Sequence, residues 1–156
     1  MAGMMGMIRS VLAVLAGIAT LTVTSFAIEA AADPLMTRMF PHSLPNRAAI
    51  SYNVWAALFM FAYTGLCVAA GGYVTAWIAR RSPVLHAVVM GAVEVALTVW
   101  AMKSLPNEAP LRNWIVAMVL TVPTAWLGGL LRAKQKGSSH PPREGIHASE
   151  ASRETR

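Results

Sequence analysis

The sequence holds one cysteine and seven acidic residues in 156 positions, and charged residues of both signs make up only 13% of it. Each scarcity excludes something. A lone cysteine, Cys67, rules out an intrachain disulfide and a cysteine-cluster metal site. A soluble domain of this length carries about 25% charged residues, so an ordinary water-soluble fold is not expected. There is no HExxH metal motif, no GxSxG nucleophile turn and no P-loop, and no cluster of histidines and carboxylates falls at one depth. The expectation is therefore a protein without a catalytic site, without a cofactor and without a bound metal. His140 and His147, seven apart in a polar stretch, read as ordinary tail residues.

What the chain does hold is apolar sequence: 56% of its residues are hydrophobic. They gather into four blocks, at residues 7–32, 51–79, 83–103 and 112–131, each of about 20 residues or more, which is the length a helix needs to cross a bilayer. In hydrocarbon each backbone amide must be satisfied within its own segment, so the blocks are predicted to be helices. The expected fold is an all-α integral membrane bundle of four transmembrane helices with antiparallel neighbours. It forms one domain over residues 1–132, followed by a polar, disordered cytoplasmic tail at 133–156.

The boundaries follow from local chemistry. Asp33-Pro34 is expected to end the first block. That block also satisfies a small-residue cleavage pattern at Ala30-Ala31-Ala32, but its apolar region exceeds a signal peptide's about 7 to 15 residues. An uncleaved span is favoured, the alternative being a cleaved signal peptide that leaves three spans. Residues 33–50 read as a proline-rich connection along the membrane surface, with Met36, Met39 and Phe40 dipping into the interface. The second span carries Tyr52 and Trp55 at one end and Tyr73 and Trp77 at the other, the aromatic-belt pattern. Ser82-Pro83 turns the chain into the third span, and Pro123 is expected to kink the fourth.

A net charge of +6 raises nucleic acid as a partner, but the basic residues sit at span ends and in the tail rather than on a polar surface. They read as topology signals. Arg9, Arg80, Arg81, Arg132, Lys134 and Lys136 fall on one side, against Arg38, Arg47, Lys103 and Arg112 on the other, which places both termini in the cytoplasm. The expected partners are the lipid bilayer and either a second membrane protein or another copy of the chain, with no nucleic acid.

Small residues three and four apart mark helix contact faces, because lipid supplies no hydrophobic drive for association. Gly17, Gly65, Gly72, Gly91 and Gly128 lie on such stripes and are expected to be packing positions. In the third span the stripe of Ala87, Gly91, Thr98 and Ala101 includes Glu94. An ionised carboxylate at that depth costs at least about 3 kcal/mol on insertion scales. Counting inward from the basic ends puts Thr20, Thr22 and Thr24 of span one, Thr64 of span two and Thr121 of span four near its level, with no basic residue there. The expectation is a protonated Glu94 hydrogen-bonded to a threonine or a carbonyl. His86 lies about 12 Å away along the helix and reads as an interfacial histidine rather than a relay. The same counting levels Glu29 with Lys103 near the outer face, where a pair between them would clamp span one to span three.

Four stretches carry a resemblance: RSVLAVLAG at the start, Glu29 near the end of span one, GGYVTAWIARRSPVLHAVVMG from Gly71 to Gly91, and PTAWLGGLLR from Pro123 to Arg132. Together they resemble an uncharacterised type of bacterial four-span membrane protein. Gly71, Gly72, Ala76, Arg80 and His86 match that type, whereas Glu94 does not belong to its pattern. The resemblance implies a four-span topology in the bacterial inner membrane and no activity. The functional expectation is a small accessory or structural membrane protein. The alternative is a proton- or cation-coupled transporter or channel subunit that uses Glu94.

Overall fold

The computed structural model describes residues 2–45, 47–79, 82–105 and 109–138. The fold is all-α. Among the described residues five helices follow in order: α1 (Ala2–Met39), α2 (Arg47–Tyr52), α3 (Val54–Ile78), α4 (Pro83–Ser104) and α5 (Leu111–Ser138). All but the short α2 are long and apolar enough to cross a membrane. The chain is a multi-pass membrane protein. Arg80 and Arg81, and the tail beyond Ser138, lie outside the described residues.

Three boundaries differ from the sequence expectation. First, α1 does not stop at Asp33-Pro34 but runs through Pro34 to Met39. Packing overrides the proline. Met36 rests on a small buried cluster of Leu44, Ile50 and Ala56, which gives the last turns of α1 something to pack against. Thr37 also donates its hydroxyl to the carbonyls of Asp33 and Pro34 at 3.1 Å. Second, the block at 51–79 is divided. Asn53 accepts hydrogen bonds from Trp55 N and Ala56 N at 3.0 and 3.2 Å, so it caps α3 and separates α2 from it. Third, α5 extends to Ser138, well into the segment assigned to the tail. Tyr73 Oη donates to Gln135 Oε1 at 2.7 Å and ties that extension to α3.

The helices are joined so that chain neighbours run antiparallel, yet much of the packing is between helices that are not chain neighbours. α5 packs on both α3 and α4, and α1 packs mainly on α3. The α3–α5 pair is parallel: Asn113 Nδ2 donates to Ser51 O at 2.7 Å and Arg112 to Tyr52 O at 3.0 Å at one end, while Tyr73 meets Gln135 at the other. Arg112 and Asn113 thereby satisfy carbonyls at the C-terminus of α2, the end that favours a cation.

The α3–α4 turn has its own geometry. Ser82 adopts φ 51, in the left-handed region, and Pro83 opens α4 directly after it. This turn places Pro83 beside Arg9, Arg132 and Lys136, so the start of α1 and the end of α5 lie at the same end of the bundle. We call this the basic end.

The core lies in the middle of the bundle. Leu21, Cys67, Val68, Met90 and Ala125 form it, with Val14 and Ile18 packed against them, and Met90 is fully buried. Beyond it toward the opposite end α4 has no buried residue: Ala87, Met90 and Gly91 are its buried positions, whereas Glu94, Thr98 and Ala101 on the same face are half-buried.

Candidate functional site

The close approaches are made at glycine. A Cβ on Gly17 would run into Thr75 Oγ1, one on Gly72 into Ala125 O, and one on Gly128 into Ala69 O. On Gly91 it would stand 3.0 Å from the Ala125 Cβ. Four of the five glycines expected to pack therefore sit where helices nearly touch backbone to backbone. Gly65 is different, because its added Cβ would meet only Thr124 Cγ2 at 3.8 Å, an ordinary contact. Two positions were missed. Gly71 would place a Cβ 2.7 Å from Gly17 O, and Gly129 would place one 2.7 Å from the Ala87 Cβ. The signal for both was present as the doubled glycines at 71–72 and 128–129, each pair serving two neighbouring helices at once.

Glu94 lies on the line of α4 that faces the bundle, three residues beyond Gly91 and four beyond Met90. The helix registers agree with the depth counting: Gly91 stands against Thr121, Val122 and Ala125 of α5, so Glu94 falls within about one turn of Thr121. Among the described residues the expected hydrogen bonds to Glu94 are nevertheless absent. Thr20 donates to Ala16 O, Thr24 to Thr20 O and Leu21 O, and Thr121 to Ala117 O, each within its own helix. Thr22 is exposed, and Thr64 makes no hydrogen bond through its hydroxyl among the described residues. Thr20 and Thr121 thus stand near the level of Glu94 without bonding to it, and Thr24 and Thr64 lie farther out. An apolar helix leaves a threonine hydroxyl the carbonyl four residues back, always within reach, and that local bond wins.

The Glu94 carboxyl has no hydrogen bond or ion pair among the described residues. Its own carbonyl accepts from Thr98 Oγ1 at 2.9 Å. On α1, Ser25 has a buried hydroxyl that also lacks a partner. Ser25 is seven residues beyond Ile18, hence on the side of α1 that meets α4. Two polar groups are left unsatisfied along the α1–α4 seam, where the two helices make less contact than α1 does with α3.

Lys103, the residue expected to pair with Glu29, lies on the outer side of α4. Lys103 is exposed, and nine residues separate it from Glu94, which turns its side chain about 180° around the helix and away from the bundle. Glu29 faces a cavity of about 420 Å³ that Phe26, Ser51, Asn113 and Trp114 also line. Depth counting levelled the two residues correctly but carried no information on azimuth.

His86 does link helices. Its Nδ1 is 3.0 Å from Ser82 O and its Nε2 3.0 Å from Ser10 Oγ on α1. A carbonyl only accepts, so Nδ1 donates to Ser82 O, while Ser10 Oγ, which donates to Gly6 O at 3.0 Å, stands beside Nε2. The histidine closes the turn into α4 and joins it to α1, a role that its position beside Ser82-Pro83 hinted at.

No group of three histidine, cysteine, aspartate or glutamate side chains among the described residues is placed to hold a metal ion. Among known proteins, no family model, no curated protein and no solved structure matches this chain.

Proposed function

We propose that the protein is a non-catalytic accessory subunit of a membrane assembly, with the α1–α4 seam around Glu94 as its docking edge. The observation that carries this reading is the Glu94 carboxyl, directed along the bundle face of α4 yet half-buried and without an intramolecular partner among the described residues. A polar group in hydrocarbon is stabilised by hydrogen bonds across helices, and a neighbouring membrane protein or a second copy supplies what this chain does not. The unpaired hydroxyl of Ser25 lies about two turns farther out on α1 and is a second polar group along that seam. The transporter reading has less support, because Leu21, Cys67, Val68, Met90 and Ala125 fill the bundle interior around the level of Glu94 with apolar side chains. The bias of basic residues and the resemblance to bacterial four-span proteins favour the bacterial inner membrane with the basic end in the cytoplasm.

The test combines two measurements on the full chain. Proton-linked flux is measured in liposomes for wild type and Glu94→Gln, and companions are identified after purification from native membranes for wild type and Glu94→Ala. No flux in either form, with a defined companion lost in Glu94→Ala, is the expected result. Flux that disappears in Glu94→Gln overturns the accessory reading in favour of a carrier.

A further inference from the structure

Two cavities open at the basic end, and Glu94 lines neither of them. The first, about 440 Å³, lies among the ends of α1, α3, α4 and α5 and draws its charge from Arg9, Arg132 and Lys136, with Trp77 at its side. None of its described lining residues is acidic. Arg9 Nε donates to Ile78 O at 2.9 Å, which anchors the guanidinium on the last turn of α3. Its terminal nitrogens make no hydrogen bond among the described residues. The second cavity, about 390 Å³, is a groove between α1 and α4. Ser10 and His86 mark one end of it, and everything deeper, to Ile18 and Val93, is aliphatic.

The two cavities adjoin. Arg9 lines the first and Ser10 the second; on α4, Pro83 lines the first and His86, one turn on, the second. A cationic recess at the headgroup level thus continues into an apolar channel that runs inward for about 12 Å, most of the roughly 15 Å depth of one leaflet's hydrocarbon. That sequence of chemistries matches one kind of molecule. We propose that this end binds a single anionic phospholipid, its phosphate held by Arg9 and Arg132 with Lys136 adding charge, and one acyl chain laid in the α1–α4 groove. The guanidinium forks suit phosphate oxygens, and an exposed tryptophan at 61% of its free surface is placed where indoles meet headgroups. A zwitterionic lipid fits less well, since its ammonium group would add a cation to a recess whose described lining offers no carboxylate. The phosphate recess lies at the basic end, away from Glu94, whereas the inner end of the groove reaches Val93, the residue before Glu94, so the lipid and the proposed docking edge share the α1–α4 seam but rest on different groups.

The experiment uses native mass spectrometry of the full chain released from nanodiscs of phosphatidylcholine and phosphatidylglycerol. One phosphatidylglycerol should be retained with a preference of about thirtyfold or more over phosphatidylcholine, the size expected from two to three interfacial cations. Arg132→Gln with Lys136→Gln removes charge while leaving the Arg9 bond to Ile78 in place, and Val89→Trp fills the groove while leaving every charge. Both should abolish the preference. Val11→Trp fills the groove from the α1 side, so that misfolding of one variant, checked by circular dichroism, is not mistaken for loss of lipid. Equal retention of the two lipids overturns the proposal. Retention unaffected by either groove-filling variant also overturns it, as does displacement by excess inorganic phosphate, which would mark a site for free anions.

Discussion

The residue on which most of the packing turns is glycine, and its members are not equivalent. Gly128 has no room for a side chain because the Ala69 carbonyl occupies the space, whereas Gly65 has a free margin before Thr124. Gly128→Val is therefore expected to destabilise the bundle by about 2 kcal/mol or more through forced separation of α3 and α5. Gly65→Ala should change stability by less than about 0.5 kcal/mol. Denaturant unfolding in detergent micelles measures both, and a Gly65→Ala penalty equal to that of Gly128→Val would refute the backbone-contact account. Glu94 poses the opposite case. Because its carboxyl has no intramolecular partner among the described residues, Glu94→Leu should leave the isolated chain as stable or raise its stability, by up to about 3 kcal/mol, while abolishing companion binding. A marked loss of stability in isolated Glu94→Leu would mean that the carboxyl holds this chain together by itself.

At the scale of elements, the spans were readable because hydrophobic run length is set by the bilayer, and all four long helices fall where the apolar blocks lie. Their ends were less readable, because ends are decided by contacts between segments distant in sequence. Proline at position 34 is a local stop signal, but Met36 gains a buried seat on Leu44, Ile50 and Ala56 only if the helix continues. Likewise Gln135 reads as tail until Tyr73 is seen beside it. The continuation of α1 is thus sustained by packing. Met36→Ala is expected to cost about 2 to 3 kcal/mol locally, as for a large-to-small change in a small cluster. Hydrogen exchange at residues 35–39 should accelerate by tenfold or more, in proportion to about 1.4 kcal/mol per decade, with the exchange of α3 unaltered. Unchanged protection at 35–39 would show that the last turns of α1 stand without that cluster.

For the whole molecule, depth was legible and azimuth was not. Rise per residue levels Glu94 with Thr121 and Glu29 with Lys103, but only the assembled bundle decides which side chains point at each other, and Lys103 points out. The assembled bundle also brings together groups that counting had separated, joining Ser10 to His86 across α1 and α4. That bond ties α1 to α4 at the basic end, and two cysteine pairs test the rotation of the helices. In a Cys67→Ala background, Ser10→Cys with His86→Cys should join rapidly with a short thiol-reactive crosslinker, since the native side chains meet at 3.0 Å. Glu29→Cys with Lys103→Cys should not join, although both lie at one level. The reasoning depends on direction rather than distance along the axis: a helix rotated by half a turn would keep every depth and exchange the two outcomes. Efficient joining of the Glu29–Lys103 cysteines, with none at Ser10–His86, would therefore place Lys103 inside the bundle, and the Glu94 edge and the basic-end groove would both fall with that rotation.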